Sequence, residues 1–195
     1  MKYRTIVADP PWEYNATKGL PTRGYKPSTA EAHYPTMKNA EIAAIPVVEM
    51  VADDAHCYLW VTNPRLYGER HNREIQPIDI LEAWGFRYVT LLTWHKLGSP
   101  GIGFHFRGNT EHVLFGVRGS VTIPTHLRLP TLFAARKTTH SEKPDRFYEI
   151  VERVSPEPRL EMFARRRRVG WDVWGNEAPP ESEARTQQHF GLDAA

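Results

Sequence analysis

The sequence is poor in several features that mark common protein classes. It holds one cysteine, Cys57, in 195 residues, so an internal disulfide is excluded and a reducing cytoplasm is the expected compartment. Mean hydropathy is −0.53, and no apolar run approaches the ~18 residues that a membrane-spanning helix needs. No basic segment followed by an apolar stretch and a cleavage site opens the chain, so no secretory leader is expected. Charge of one sign is also scarce: 25 basic and 23 acidic side chains leave a net +2, which argues against strong nonspecific attraction to DNA. Gly101-x-Gly103 lacks the third glycine of a dinucleotide fingerprint, and no Walker loop, H-E-x-x-H, C-x-x-C or G-x-S-x-G occurs. A nicotinamide dehydrogenase and the main hydrolase readings therefore lose support. The nine histidines make no ligand pattern with Cys57, so no metal is expected.

What the chain does have is an apolar fraction of 41%, enough to pack one domain, expected over residues 1–178 with a polar tail at 179–195. Eighteen arginines against seven lysines favour planar forks that grip phosphates or carboxylates. Thr5–Ala8, Tyr58–Val61, Phe86–Trp94, Glu111–Val117 and Leu160–Ala164 read as strands, with one more over 170–175. A helical pattern runs from Arg65 to Trp84, where Pro77 predicts a kink or late start and Gly85 the cap. Pro144–Val154 reads as an amphipathic helix. Strands alternating with helices predict an α/β fold with a mostly parallel sheet and helices on both faces. In such sheets ligands lie at the carboxyl ends of strands, here after Ala8, Val61, Trp94 and Ala164. Two long loops, 13–36 and 96–109, carry Lys18, Arg23, Lys26 and Arg107, which are candidate nucleic-acid contacts. Tyr14, His33 and Tyr34 are candidates to stack on bases, with plain packing as the alternative.

The most informative segment is Asp9-Pro10-Pro11-Trp12 at the end of the first strand. Two prolines fix the backbone and remove its N–H donors, leaving carbonyl acceptors beside the Asp9 carboxylate. A planar ring bearing an amine suits that arrangement, with Asp9 and the Pro10 carbonyl accepting the two amine hydrogens and Trp12 stacking on the ring. A rigid turn capped by an aromatic is the alternative reading of the same four residues.

These residues resemble the signature of the adenine methyltransferases typified by the catalytic subunit of the messenger-RNA adenosine methylase, which have compact bacterial and phage relatives. Further similar segments follow in the family order: 33–37, 59–63, 82–86, 94–96, 111–116, 140–144 and 160–165. The resemblance implies a Rossmann-like, class I methyltransferase fold using S-adenosylmethionine, its motifs permuted so that the catalytic strand comes first. It implies Asp9, Pro10, Pro11 and Trp12 as catalytic residues. Asp9, His140, Lys143, Glu161, Phe163, Arg165, Asn176 and Glu177 are implied around the cofactor: Lys143 near its methionine carboxylate, Glu161 at ribose hydroxyls, Phe163 on adenine. Glu177 replaces a glutamine of many relatives. A solvated lysine at a helix start is the plain alternative for Lys143, as a solvated turn is for the basic run Arg165–Arg168.

The expected reaction is methyl transfer to the exocyclic N6 amine of adenine, with positioning as the main catalytic contribution. Compact prokaryotic relatives make DNA the expected substrate and RNA the alternative, with base extrusion required for a duplex. A noncatalytic nucleic-acid-binding subunit and a methyltransferase for small molecules are the competing readings. Monomer and homodimer remain equal alternatives.

Overall fold

The computed structural model describes residues 1–13, 36–67, 75–101, 105–137 and 142–175. Seven strands form one sheet: β1 (Tyr3–Ala8), β2 (Val51–Val61), β3 (Arg87–Leu97), β4 (Thr110–Arg118), β5 (Leu132–Arg136), β6 (Arg159–Met162) and β7 (Trp171–Trp174). Helices α1 (Asn39–Ala43) and α2 (Val47–Met50) precede β2; α3 (Asn63–Leu66) and α4 (Pro77–Ala83) follow it; α5 (Asp145–Val154) precedes β6.

The sheet order is β5-β3-β4-β2-β1-β6-β7. β1 pairs in parallel with β2 and β6, β3 with β5, and β6 with β7. β4 runs antiparallel to both its neighbours, β2 and β3. The expected mostly parallel α/β sheet is therefore present, with one reversed strand near its middle. That reversal brings the amino end of β4 to the same edge as the carboxyl ends of β1, β2 and β3.

Both faces are covered, as expected. One face packs Ile6, Ala8, Leu59 and Val61 against Ile42 of α1, Val47 of α2 and Ile80 and Leu81 of α4. The other packs Val7, Tyr58, Trp60, Val113 and Phe115 against Phe147, Tyr148, Ile150 and Val151 of α5. β2 is buried on both faces over Ala55–Val61, which is why it reads as a continuous apolar run.

The helix expected over 65–84 is divided. α3 ends at Leu66, residues 68–74 lie outside the described set, and Pro77 opens α4 at its first position, where a missing N–H costs nothing. Gly85 closes α4 at φ +84 with its N–H on the Glu82 carbonyl, a left-handed conformation that glycine adopts freely. β5 has no counterpart among the expected strands. Its Leu-Phe-Ala-Ala-Arg sequence carries weak strand signal, and pairing with β3 together with burial of Phe133 holds it extended. The long loop expected over 96–109 gives its first two residues to β3, and that over 13–36 falls almost wholly outside the described residues, as does the polar tail. Among the described residues no helix is long and apolar enough to cross a membrane.

Phe147 is fully buried and meets the rings of Tyr58, Trp60, Phe133 and Tyr148. Phe147→Ala is expected to lower stability by about 3–5 kcal/mol, read by urea unfolding as a shifted midpoint with an unchanged slope.

Candidate active site

β1 alternates its side chains between the two core clusters, Ile6 and Ala8 to one and Val7 to the other. The next residue, Asp9, continues that alternation and leaves the strand on the Val7 side, at the carboxyl edge of the sheet. Pro10 and Pro11 then hold a tight turn in which the Trp12 N–H donates to the Pro10 carbonyl at 2.8 Å. The Pro11 carbonyl accepts from the Met37 N–H, also at 2.8 Å. Each of the two proline carbonyls thus accepts one hydrogen bond and keeps one free lone pair.

Trp12 departs from its expected role. Its indole is 3% exposed in the core with Ile42 and Leu59, and its N–H donates to the Trp60 carbonyl at 3.1 Å. A large apolar ring with a satisfied N–H is worth more in the core than at a rim. In this arrangement Trp12 anchors the turn and presents no free stacking face.

Asp9 meets the ammonium of Lys143, which precedes α5: Nζ is 3.0 Å from Asp9 Oδ2 and 3.1 Å from Glu111 Oε2. Lys143 is 10% exposed and also lies over the Trp60 ring, 4.8 Å from its centroid. Glu111 is the second residue of β4, and its other oxygen binds Lys96 near the end of β3. The result is an alternating chain, Asp9, Lys143, Glu111, Lys96, drawn from three strands and the approach to α5.

Each group in the chain titrates according to its neighbours. Burial pushes the Asp9 carboxyl up and Glu111 adds to the rise, while Lys143 and Arg165 oppose it. Burial also raises Glu111, but the ammoniums of Lys143 and Lys96 outweigh it and hold that carboxyl below its ordinary value. Lys143 is pushed down by burial and pulled up more strongly by Asp9 and Glu111, so it stays charged. Asp9 is therefore the member whose protonation is displaced toward neutral pH.

Glu161 lies on β6 beside Val7 and is 8% exposed. The Tyr148 hydroxyl donates to its Oε1 at 2.5 Å, and Oε2 is buried with no hydrogen-bond partner among the described residues. Burial first, then the nearby Asp9, raises its pKa, against the pull of Tyr148, Arg168 and Arg166. Phe163 follows at φ 62, its N–H on the Trp174 carbonyl at 2.6 Å and its ring edge-on to Trp174 at 5.4 Å. It reaches the same edge, packed against the core.

The basic run resolves into structure. Arg166 pairs with Glu142 at 2.8 Å and with Asp145, and Arg168 pairs with Asp145 at 2.5 Å and stacks 4.0 Å over the Tyr148 ring. These two cations tie the segment after β6 to the first turn of α5. Arg107 is exposed and donates to the carbonyls of Pro100 and Gly101, so it braces its own loop. Tyr14, Lys18, Arg23, Lys26, His33, Tyr34, His140, Asn176 and Glu177 lie outside the described residues.

Sequence reasoning missed Glu111, Lys96 and Tyr148. Attention to strand carboxyl ends passes over Glu111, because it lies at the amino end of its strand. The signal that was available is an acid heading an otherwise apolar strand.

A family model described as MT-A70 matches residues 3–177. The chain is 33% identical over 193 residues to the Type II methyltransferase M.MunI of a Mycoplasma species, covering 91% of this chain and 78% of that protein. It is 29% identical over 187 residues to the N(6)-adenosine-methyltransferase MT-A70-like protein of Drosophila melanogaster, covering 90% of this chain and 27% of that protein. To the N(6)-adenosine-methyltransferase catalytic subunit METTL3 of Homo sapiens it is 27% identical over 208 residues, covering 97% of this chain and 31% of that protein. The chain thus spans under a third of the length of these two adenosine methyltransferases. With a Rossmann-like sheet, Asp-Pro-Pro-Trp at the end of its first strand and a family match over nearly its whole length, this chain belongs to the MT-A70 family of methyltransferases.

Proposed function

We propose that this chain transfers a methyl group from S-adenosylmethionine to the N6 amine of adenine in DNA. The observation that carries the reading is the Asp9 carboxylate, rigidly presented by Pro10-Pro11 at a strand end and braced by a buried lysine. The cofactor supplies a methyl group already activated on a sulfonium, so the protein's task is alignment and charge.

The residues fit such a cofactor in two respects. Glu161 Oε2 is a buried acceptor without a partner among the described residues, the kind of atom a ribose hydroxyl satisfies. Lys143 has three donors and two carboxylate partners, which leaves one N–H for a further acceptor such as the methionine carboxylate. Phe163, Arg165, His140, Asn176 and Glu177 complete the proposed cofactor set.

Asp9 and the free lone pair of the Pro10 carbonyl accept the two hydrogens of the adenine amine. That pulls electron density onto the nitrogen and turns its lone pair outward. As positive charge grows on the nitrogen, the carboxylate stabilises it. The raised pKa of Asp9 fits it to take the proton that the methylated amine then releases. Lys143 fixes the direction of the carboxylate, and Glu111 with Lys96 fixes Lys143.

DNA is preferred because the similarity to the type II methyltransferase extends over most of that protein, whereas the adenosine methyltransferases align over a fraction of theirs. RNA is the second reading, favoured by the adenosine methylation that those relatives are named for. Residues 14, 18, 23, 26, 33, 34 and 107 are the proposed nucleic-acid contacts, and 1–178 the proposed catalytic domain.

Methyl transfer from labelled S-adenosylmethionine to unmethylated duplex DNA, single-stranded DNA and RNA, with nucleoside analysis, is expected to yield N6-methyladenine in DNA. Asp9→Ala is expected to lower turnover by about 10²–10³-fold with little change in cofactor affinity. Retained turnover in that variant, or product in RNA alone, overturns the corresponding part of the proposal.

The pH dependence has a definite sign. Protonating Asp9 removes an acceptor, so kcat/KM is expected to fall as pH drops through a value above the ordinary aspartate range. Glu111→Gln removes a charge that raises Asp9 and is expected to shift this limb to lower pH. Lys143→Met removes a charge that lowers Asp9 and is expected to shift it to higher pH. A limb insensitive to both substitutions would remove Asp9 from the acceptor role.

A further inference from the structure

The small net charge of the chain is the sum of two unequal parts. Residues 83–141 hold seven of the 25 Lys and Arg side chains and one of the 23 acids, Glu111, which leaves 18 basic and 22 acidic side chains elsewhere. That segment builds β3, β4 and β5, three neighbouring strands at one side of the sheet. Its one acid is compensated internally, since Lys96 and Lys143 bind the two oxygens of Glu111. One side of the sheet is therefore cationic, while the rest of the chain carries an excess of acid.

Strand direction brings part of this charge to the edge where Asp9 lies. β5 runs parallel to β3 with Arg136 opposite Leu97, so Arg136 and the following Lys137 stand at that edge, both exposed. Arg107, also exposed, stands there on the connection from β3 to β4. Among the described residues none of these three cations enters an ion pair. Uncompensated cations gathered on one face raise the local concentration of a polyanion even where the total charge is small.

The second observation is an aromatic ring in the same place. Phe106 is 91% exposed and adjoins Arg107. A lone exposed apolar side chain is ordinary on a protein surface, but this one stands on a braced support. The pairing of β3 with β4 continues beyond the strands: the Lys96 N–H donates to the Asn109 carbonyl at 2.7 Å, and the Gly101 N–H to the Gly108 carbonyl at 2.8 Å. The Arg107 guanidinium crosses the connection to the Pro100 and Gly101 carbonyls, at 3.0 and 3.1 Å, and Lys137 Nζ reaches the Ser99 carbonyl at 3.4 Å. At the base of this support Lys96 and Glu111 join the ion chain that ends on Asp9.

We propose that this cationic side of the Asp9 edge is the docking face for the DNA duplex that flanks the target adenine. Arg136 and Lys137 lie on its phosphates, and Phe106 enters the base stack at the step that the adenine leaves. The inference rests on the DNA methyltransferase reading given above. Extruding a base leaves its neighbours unstacked on one side, and an apolar ring placed in the gap recovers part of that loss. The phosphate contacts carry no sequence information and serve to set the position of the duplex.

Fluorescence anisotropy of the full chain with an unmethylated DNA duplex of mixed sequence, about 24 base pairs long and titrated over about 25–200 mM KCl, tests this face. Log Kd is expected to rise linearly with log salt, and Arg136→Gln and Lys137→Gln are each expected to reduce the slope by about one. Arg153→Gln removes an exposed cation of α5, outside the face, and is expected to leave the slope unchanged. A duplex with one abasic site presents a ready gap in its stack. The unaltered chain is expected to bind it about five-fold tighter than the intact duplex, and Phe106→Ala to erase that preference with the salt slope intact, because an apolar contact releases no counterions. All four positions are exposed, so the variants leave the core in place. Absence of duplex binding overturns the proposal, as do equal slopes in the unaltered chain and both glutamine variants, an equal loss in Arg153→Gln, or an abasic preference that survives Phe106→Ala. Tighter binding of an RNA duplex of the same sequence overturns the assignment to DNA. None of these arms depends on turnover, so a chain that binds as expected yet makes no N6-methyladenine overturns the methyl-transfer reading and leaves the docking face standing.

Discussion

A lysine ammonium in a poorly solvated niche persists as a cation only where negative charge compensates its lost hydration. Lys143 meets that condition through two carboxylates at about hydrogen-bond distance, Asp9 from β1 and Glu111 from β4. Neither strand is next to the other in the sheet, since β2 lies between them. The ion cluster therefore spans three adjacent strands and joins the approach to α5 to the sheet. Removing Lys143 takes the shared cation from two poorly solvated carboxylates, which costs more than the pair itself is worth. The same coupling sets the protonation of Asp9, because the nearest charges that push it up and down are Glu111 and Lys143.

The proline pair next to Asp9 works on backbone geometry. Without N–H groups at positions 10 and 11, the turn is held by what its carbonyls accept and by Trp12. The indole reaches across β1 to the Trp60 carbonyl and fills the core under the turn. The Trp60 ring in turn packs against the Lys143 ammonium. One aromatic thus fixes the turn from below and another braces the lysine from beside it, so the two ends of the Asp9–Lys143 contact are anchored in different core clusters.

The α5 side of the sheet has two unlike ends. At the carboxyl edge, the strand termini gather Asp9, Glu111 and Lys143, with Glu161 held by Tyr148. At the other edge the packing between sheet, α5 and the 121–131 segment is incomplete, and an apolar cavity remains. Polar chemistry collects at the first because strands end there and expose backbone and charged side chains, whereas the second is bounded by strand interiors.

The sequence by itself determined the alternation of strands and helices, the positions of Gly85 and Pro77 at helix ends, the strand that delivers Asp9, and the family resemblance later matched over residues 3–177. These are local properties: side-chain periodicity, proline and glycine stereochemistry, and an ordered series of short motifs. Tertiary structure alone decided the direction of β4, and with it the arrival of Glu111 beside Lys143. It decided that Phe133 and its neighbours form β5, that Trp12 is a core anchor, and that Arg166 and Arg168 spend their charge on Asp145. Strand direction and ion pairing depend on contacts between residues far apart in the chain, where neither propensity nor spacing carries information. An arginine, an indole or a strand-initial glutamate reads the same in sequence whether it faces solvent, core or a partner of opposite charge.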